Sequence, residues 1–242
     1  MDALFRNHLH FLRRHRGDFL ATRDGVYMVG EAPGVSFWTP LHDAARLPED
    51  FGAVRLLPQS GEGWPARLGA AGYVEAETFS YQALACGRAL SPRFPVPEVP
   101  VRRVESREDA LAFARVQSAA FLTGDDGISV WWRSFFALAA VRNYQDPGQD
   151  MLIADAGDGA SAAVLVVHAA GVSGLYAVAT RPEARGKGLG TALLASALGE
   201  AARRGSQALT LHTESGSFAD GYYRRLGFEE RYASPVWRRP AG

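Results

Sequence analysis

The sequence predicts an α/β fold arranged in two successive parts. Three observations lead there. After residue 100, short runs rich in Val, Leu and Ala alternate with longer runs of helical periodicity. Before it, Ser91-Pro92-Arg93-Phe94-Pro95-Val96-Pro97-Glu98-Val99-Pro100 concentrates four prolines, which remove backbone donors and favour an extended connector. Finally, the two parts share a pattern at a fixed offset of 155 residues. Leu56 falls on Leu211, Ser60 on Ser215, Gly61 on Gly216, Gly72 on Gly227 and Glu75 on Glu230. Val54 meets Leu209 and Tyr73 meets Phe228, so a strand, a short helix, a Gly–aromatic pair and a strand recur in register. The expected divisions are residues 1–91, a linker over 92–100, and residues 101–242.

In the first part, an amphipathic helix is expected over Leu4–Arg14, and strands near Phe19–Thr22, Val26–Gly30, Val35–Thr39 and Ala53–Leu57. A short helix over Trp64–Ala70 and a strand over Tyr73–Leu84 follow. In the second part, Val101–Val104 reads as a strand, and Ser106 caps a helix that runs to Phe121, with Asp109 three residues on. A helix from Ser129 to Arg142 carries Trp131, Trp132, Phe135 and Phe136, whose spacing predicts core positions. Strands over Met151–Asp155, Ala162–His168 and Gly174–Thr180 are separated by turns at Asp158-Gly159 and Gly171. The helix Leu189–Arg204 has Leu194, Ala197, Leu198 and Ala201 as its apolar stripe and Gly205 as its stop. The strand Ala208–Thr213, the helix Phe218–Leu226 ended by Gly227, and the strand Phe228–Trp237 complete the order.

Composition excludes several functions. Lys plus Arg equals Asp plus Glu, 26 against 26, so no net charge draws the chain to nucleic acid or a membrane surface. Cys86 is the single cysteine, so an internal disulfide is impossible and a Cys-rich zinc site is excluded; no metal is expected. The first residues lack a long apolar run, and no stretch is long enough to span a bilayer, so a cytoplasmic protein is expected.

The chemistry concentrates in Arg185-Gly186-Lys187-Gly188-Leu189-Gly190-Thr191, placed between a strand and a helix. Glycines let backbone N–H groups approach a ligand, and a helix N-terminus adds unpaired donors and a positive dipole end; together they suit a pyrophosphate. A Walker loop needs Ser or Thr after Gly-Lys, and here Gly188 follows Lys187. The dinucleotide spacing G-x-G-x-x-G fails from either glycine, because residue 191 is Thr and residue 193 is Leu. The spacing present is R-x-x-G-x-G.

Arg185-x-x-Gly188-x-Gly190 resembles the acetyl-CoA signature of the GNAT superfamily of N-acyltransferases. Tyr223-Arg224-Arg225-Leu226-Gly227-Phe228 resembles that family's Y-x-x-x-G-F segment, and the element order from Val101 to residue 239 is similar. The resemblance implies tandem GNAT-like domains, each a mixed, mostly antiparallel sheet flanked by helices. It implies that backbone groups of Val178, Ala179 and Thr180 pair with the pantetheine arm of acetyl-CoA and that Gly186, Lys187, Gly188, Leu189, Gly190 and Thr191 cradle its pyrophosphate. Tyr223 would then protonate the departing thiolate as general acid. An amine attacks the thioester directly, with no acyl-enzyme. The expected acceptor is a small-molecule or peptide amine, and the expected assembly a monomer or homodimer.

The chain departs from the family pattern in two places. Where many members carry a carboxylate on the strand before the loop, it has Gly174, Leu175 and Tyr176; where many have Asn seven residues before the tyrosine, it has Gly216. The base is thus open between water, Tyr176, His212 and Glu214. The missing carboxylate keeps a non-catalytic acyl-CoA-binding or sensing module as the alternative. In the first part, Leu68 stands where the offset places Tyr223, and no R-x-x-G-x-G precedes Phe51. That part is expected to be a degenerate copy unable to bind acetyl-CoA.

Overall fold

The computed structural model describes residues 1–30, 36–49, 51–92, 95–157 and 159–240. Val35, Arg93, Phe94 and Asp158, which enter the expected strand, linker and turn, lie outside them. The chain forms two compact units. Unit 1 joins Met1–Leu84 to Thr210–Gly242, and unit 2 is Ala85–Leu209. These packing units divide the chain differently from the proline-rich stretch, because the last elements of the sequence pack with the first.

Unit 1 opens with helix α1 (Ala3–His15). Asp2 caps it, accepting from the Leu4 and Phe5 N–H groups at 2.9 and 3.1 Å. Strands β1 (Gly17–Ala21), β2 (Gly25–Gly30), β3 (Phe37–Pro40) and β4 (Ala53–Arg55) follow, then helix α2 (Trp64–Ala70) and strand β5 (Val74–Ala85). From the C-terminal segment come most of β10 (Ala208–Glu214), helix α6 (Phe218–Arg225) and β11 (Glu229–Arg238). The strand order within this unit is β1-β2-β3-β4-β11-β5-β10, with β3 and β4 parallel. The β1–β2, β2–β3, β4–β11 and β5–β11 pairs are antiparallel. Its aromatic core sets Trp38 edge-on to Trp64 at 5.3 Å, with Val54, Leu68 and Tyr73 buried around them.

The structure carries the 155-residue offset further than the sequence does. Strand β4 and helix α2 recur as β10 and α6, and β5 recurs as β11. Gly61 and Gly216 both have positive φ (104° and 75°), as do Gly72 and Gly227 (80° and 97°). The two equivalent strands β5 and β11 pair with each other, and the ladder is symmetric under the offset. Phe79 pairs with its own equivalent, Ser234; Glu75 pairs with Trp237 as Gln82 pairs with Glu230. Even the bulges correspond, one between Glu230 and Tyr232 and the other between Val236 and Trp237. The first sets an extra residue at 231 and the second at 76, equivalent positions in the two copies.

Unit 2 contains β6 (Val101–Arg103), α3 (Arg107–Phe121), α4 (Gly127–Asn143), β7 (Gln149–Asp155), β8 (Ala160–Ala169), β9 (Val172–Thr180) and α5 (Leu189–Arg203). Ser106 caps α3 through the Asp109 N–H (3.0 Å), as the sequence implied, while the Asp109 carboxylate pairs with Arg102 at 2.6 Å. Strands β6, β7, β8 and β9 are joined in that order, all antiparallel. Residues 162–167 of β8 are buried without a break, as befits a strand covered on both faces. The α5 stripe Leu194, Ala197, Leu198 and Ala201 is buried. The α4 aromatics correct the expectation: only Phe136 is buried. Trp131 is 41% exposed, and Ile128 and Leu138 on the same helix are exposed as well. A periodicity argument identifies a stripe, and it cannot say whether another element covers it.

Candidate active site

The glycine loop lies wholly in unit 2. Strand β9 delivers the chain to it, but irregularly. Ala163 pairs with Ala179 and Leu165 with Tyr176, so β9 holds one extra residue, and Ala177 takes a left-handed φ of 50°. Such a bulge breaks the regular ladder and re-aims the backbone just where Val178, Ala179 and Thr180 follow. After β9, Pro182–Ala184 makes a short 3-10 turn. Arg185 then ties the loop down, its Nε donating to Thr180 O and its Nη2 to Ala120 O, both at 3.3 Å. Arg185 therefore braces the loop against β9 and the end of α3, through carbonyls rather than carboxylates.

Gly186 and Gly188 both adopt left-handed φ, 76° and 77°. Gly188 is the residue before α5, and no side chain caps that helix. The first helical bond runs from the Ala192 N–H to Gly188 O (3.0 Å), which leaves the Leu189 and Gly190 N–H groups as uncapped donors. The two glycines differ in their surroundings. A Cβ on Gly186 would meet nothing within 4 Å, whereas one on Gly188 would stand 2.7 Å from Pro97 Cδ. The proline-rich segment thus packs on the loop, a contact that no local sequence signal announced. Lys187, the single lysine, is exposed at the tip. Left-handed glycines leading into an uncapped helix N-terminus fit a pyrophosphate.

Tyr223 belongs to unit 1, on α6, which Ser217 caps through the Asp220 N–H (3.1 Å). The phenol is buried, edge-on to Phe228 (5.7 Å) and Tyr222 (5.2 Å). Burial, helped by Tyr222, pushes its pKa well above the ordinary tyrosine value, so it stays protonated at neutral pH.

Of the candidate bases, His212 is placed where it cannot serve easily. It stacks on Tyr81 (5.1 Å) and meets His8 edge-on (4.3 Å). Burial and the charge of Arg55 push its pKa down to about 3. Tyr176 is buried on β9, and Glu214 is exposed at the end of β10.

A further polar cluster in unit 2 escaped the sequence reading. Asp150 is buried on β7 and receives Arg103 Nη1 at 2.6 Å, His168 Nε2 at 2.9 Å and Arg204 Nη2 at 3.1 Å. Burial pushes its carboxyl pKa up. The His168 hydrogen bond and the charges of Arg103 and Arg204 outweigh that and hold the pKa below the usual value. His168 Nδ1 continues to Ser173 Oγ (2.8 Å), which reaches Ser206 Oγ (2.7 Å). Ser173 is fully buried, so this chain of contacts stitches the β8–β9 hairpin to the end of α5 rather than presenting a nucleophile. Its members are scattered from Arg103 to Ser206, a separation no motif spans. Among the described residues no group of three or more His, Cys, Asp or Glu could hold a metal ion, and no helix is long and apolar enough to cross a membrane.

Residues 147–230 match the family model described as acetyltransferase (GNAT) domain. A GCN5-related N-acetyltransferase from Kribbella flavida is similar in structure with a TM-score of 0.70 at 20% identity, over 99% of this chain and 96% of that one. A conserved protein of unknown function from Staphylococcus epidermidis is similar at TM-score 0.63 and 11% identity, over 93% and 95% of the two chains. A tandem GNAT protein from the clavulanic acid biosynthesis pathway is similar at TM-score 0.56 and 15% identity, over 90% and 80%. At these identities the structures show a shared fold. No curated protein matches the sequence.

Proposed function

We propose that this chain, whose residues 147–230 match the acetyltransferase (GNAT) domain model, moves an acetyl group from acetyl-CoA to an amine of a small molecule or peptide. The observation that carries the reading is the loop itself: two left-handed glycines lead into an uncapped helix at the R-x-x-G-x-G positions. Acetyl-CoA supplies the acetyl group as a thioester. The Leu189 and Gly190 N–H groups, with those of Gly186, Lys187, Gly188 and Thr191, bind its pyrophosphate, and Arg185 holds the loop in shape. The backbone of Val178, Ala179 and Thr180, re-aimed by the bulge at Ala177, takes the pantetheine arm as an added strand. The acceptor nitrogen bonds to the acetyl carbon as the carbon–sulfur bond breaks, and Tyr223, protonated well beyond neutral pH, gives its proton to the leaving sulfur. The acceptor's own proton goes to water, Tyr176 or Glu214, because His212, with its pKa pushed down to about 3, is too weak a base. Cys86 is not required, and burial raises its thiol pKa, which disfavours the nucleophilic thiolate.

The symmetric β5–β11 ladder supports the reading of residues 1–91 as a degenerate copy that lacks the glycine loop. One acetyl-CoA per chain follows. A second reading, a non-catalytic acyl-CoA sensor, draws on the absence of a carboxylate at Gly174, Leu175 and Tyr176. Screening amines for CoA release decides between them, with Tyr223→Phe as the control. Slower release at unchanged acetyl-CoA affinity supports transfer with Tyr223 as acid. Tight acetyl-CoA binding with no release from any amine supports the sensor.

A further inference from the structure

Helix α6 is tied to its sheet by side chains that the equivalent helix of the first copy lacks. Asp220 stands one turn before Tyr223 on α6 and is 7% exposed. Its Oδ1 accepts from Gln82 Nε2 at 2.5 Å and from Arg224 Nε at 3.1 Å, and its Oδ2 from the Gly216 N–H at 3.1 Å. Burial pushes its carboxyl pKa up; the Gly216 N–H and Arg224 outweigh that and hold the pKa below the usual value. Arg224 Nη2 continues to Ser80 Oγ (3.3 Å) and to Glu230, whose Oε2 also accepts from Ser80 Oγ at 2.6 Å. The clamp thus joins β5, through Ser80 and Gln82, and β11, through Glu230, to the helix that carries Tyr223.

Gln82 is fully buried and lies directly across the β5–β11 ladder from Glu230. Its Oε1 is buried with no hydrogen-bond partner among the described residues. A buried carbonyl without a donor is costly, so the amide is held here for its bond to Asp220 rather than for packing.

The 155-residue offset supplies an internal comparison. It sets Trp237 at the position of Gln82, Pro235 at that of Ser80, Pro65 at that of Asp220 and Gly69 at that of Arg224. The cross-strand pair equivalent to Gln82 and Glu230 is Trp237 and Glu75. Trp237 packs on the apolar cluster that holds Trp64 and Leu68, and Glu75 accepts from Thr78 Oγ1 at 2.7 Å. Helix α2 is therefore seated without any of these bonds, and Leu68, which stands where Tyr223 stands, is fully buried. The clamp is present in the copy that keeps the tyrosine and absent from the copy that lacks it, so seating the helix is not what calls for it. The Tyr223 Oη itself makes no hydrogen bond among the described residues. Its place is set by α6 and by ring packing on Phe228 and Tyr222.

We propose that Gln82 and Asp220 are positioning residues for the general acid: Gln82, supplied by residues 1–91, holds Asp220, and Asp220 holds α6 so that the Tyr223 Oη meets the leaving sulfur. The inference rests on the acetyl-transfer reading with Tyr223 as the acid, and it gives the degenerate copy a part in that reaction.

The test is a double-mutant cycle on the whole chain, with acetyl-CoA and the fastest acceptor from a panel of primary amines. Gln82→Met, which keeps the length and loses the donor, is expected to lower kcat about tenfold and to change the acetyl-CoA Kd less than about twofold. Asp220→Asn is expected to act in the same direction, and either variant alone decides if the other fails to fold. In a Tyr223→Phe background each should change kcat less than about twofold, because a residue that acts through the phenol has nothing left to position. The Tyr223 ring signal, labelled with ¹³C and assigned with Tyr223→Phe, is expected to move in Gln82→Met. An equal loss of kcat with and without the Tyr223 hydroxyl, an unchanged kcat in a folded Gln82→Met, or an unmoved Tyr223 signal would each overturn the proposal while leaving acetyl transfer intact. A wild type that releases no CoA with any amine would overturn both.

Discussion

Replacing Gly188 and Gly186 by alanine, one at a time, probes the loop through two positions that share a backbone conformation and differ in their neighbours. Both glycines sit near φ 76–77°. An L-residue in that region costs about 1–2 kcal/mol. At Gly186 that is the whole cost, since the new methyl meets nothing within 4 Å. At Gly188 the methyl would stand 2.7 Å from Pro97 Cδ, closer than real contacts allow. Forcing a methyl into packed surroundings adds about 1–3 kcal/mol. A free variant relaxes to another loop conformation, and binding must restore the original one at that cost. With about 1.4 kcal/mol per tenfold, Gly186→Ala should weaken acetyl-CoA roughly tenfold and Gly188→Ala roughly 30-fold or more. Calorimetric titration with acetyl-CoA measures both, with circular dichroism confirming the fold. Two variants that bind like the wild type, or a Gly186→Ala more damaging than Gly188→Ala, would refute the reasoning.

Further predictions concern Tyr223, the buried histidines and the Asp150 cluster. Because the folded pKa of Tyr223 is raised, the general acid should not titrate below the ordinary tyrosine value of about 10. The pH–rate profile should therefore show no falling limb from it between pH 7 and 9.5, and a limb there that vanishes in Tyr223→Phe would contradict the assignment. His8 and His212 have folded pKa values below their unfolded value near 6.5, so their stability contribution is present above that pH and is lost as pH falls. For His212, whose folded pKa lies at about 3, the loss should be about 2 kcal/mol between pH 6.5 and 5, at about 1.4 kcal/mol per pH unit, with His8 acting in the same direction; chemical denaturation across that range measures it, and His212→Gln should flatten the slope. Asp150→Asn leaves Arg103 and Arg204 facing a neutral group and should cost about 3–5 kcal/mol; a melting temperature equal to wild type would show that the network is not stabilising.

Most of the fold was legible because its signals are local. Ser106 and the α5 stripe are written in short windows, and both stand as expected. The glycine loop was legible for the same reason, since backbone conformation follows from glycine placement. The 155-residue offset was visible as a handful of identities, and the symmetry of the β5–β11 ladder confirmed that the register runs through both strands. What stayed hidden depends on distant partners. Arg55 reads as an ordinary strand residue until His8, Phe37, Phe79 and Tyr81 surround it. Asp150 and His168 gain meaning only when β7 and β8 are set side by side. Pro97 read as part of a connector, and its contact with Gly188 crosses some ninety residues of sequence. The exposure of Trp131 failed for a related reason: helical periodicity specifies a face and leaves its partner unspecified.

The measurement that bears most directly on the central claim is the stoichiometry of acetyl-CoA binding to the whole chain by calorimetry, in the wild type and in Gly188→Ala. One site per chain, weakened by the substitution, is the result expected if the R-x-x-G-x-G loop of unit 2 holds the cofactor and residues 1–91 do not. Two sites would contradict the degenerate first copy, and no binding would contradict the acetyl-transfer reading as a whole.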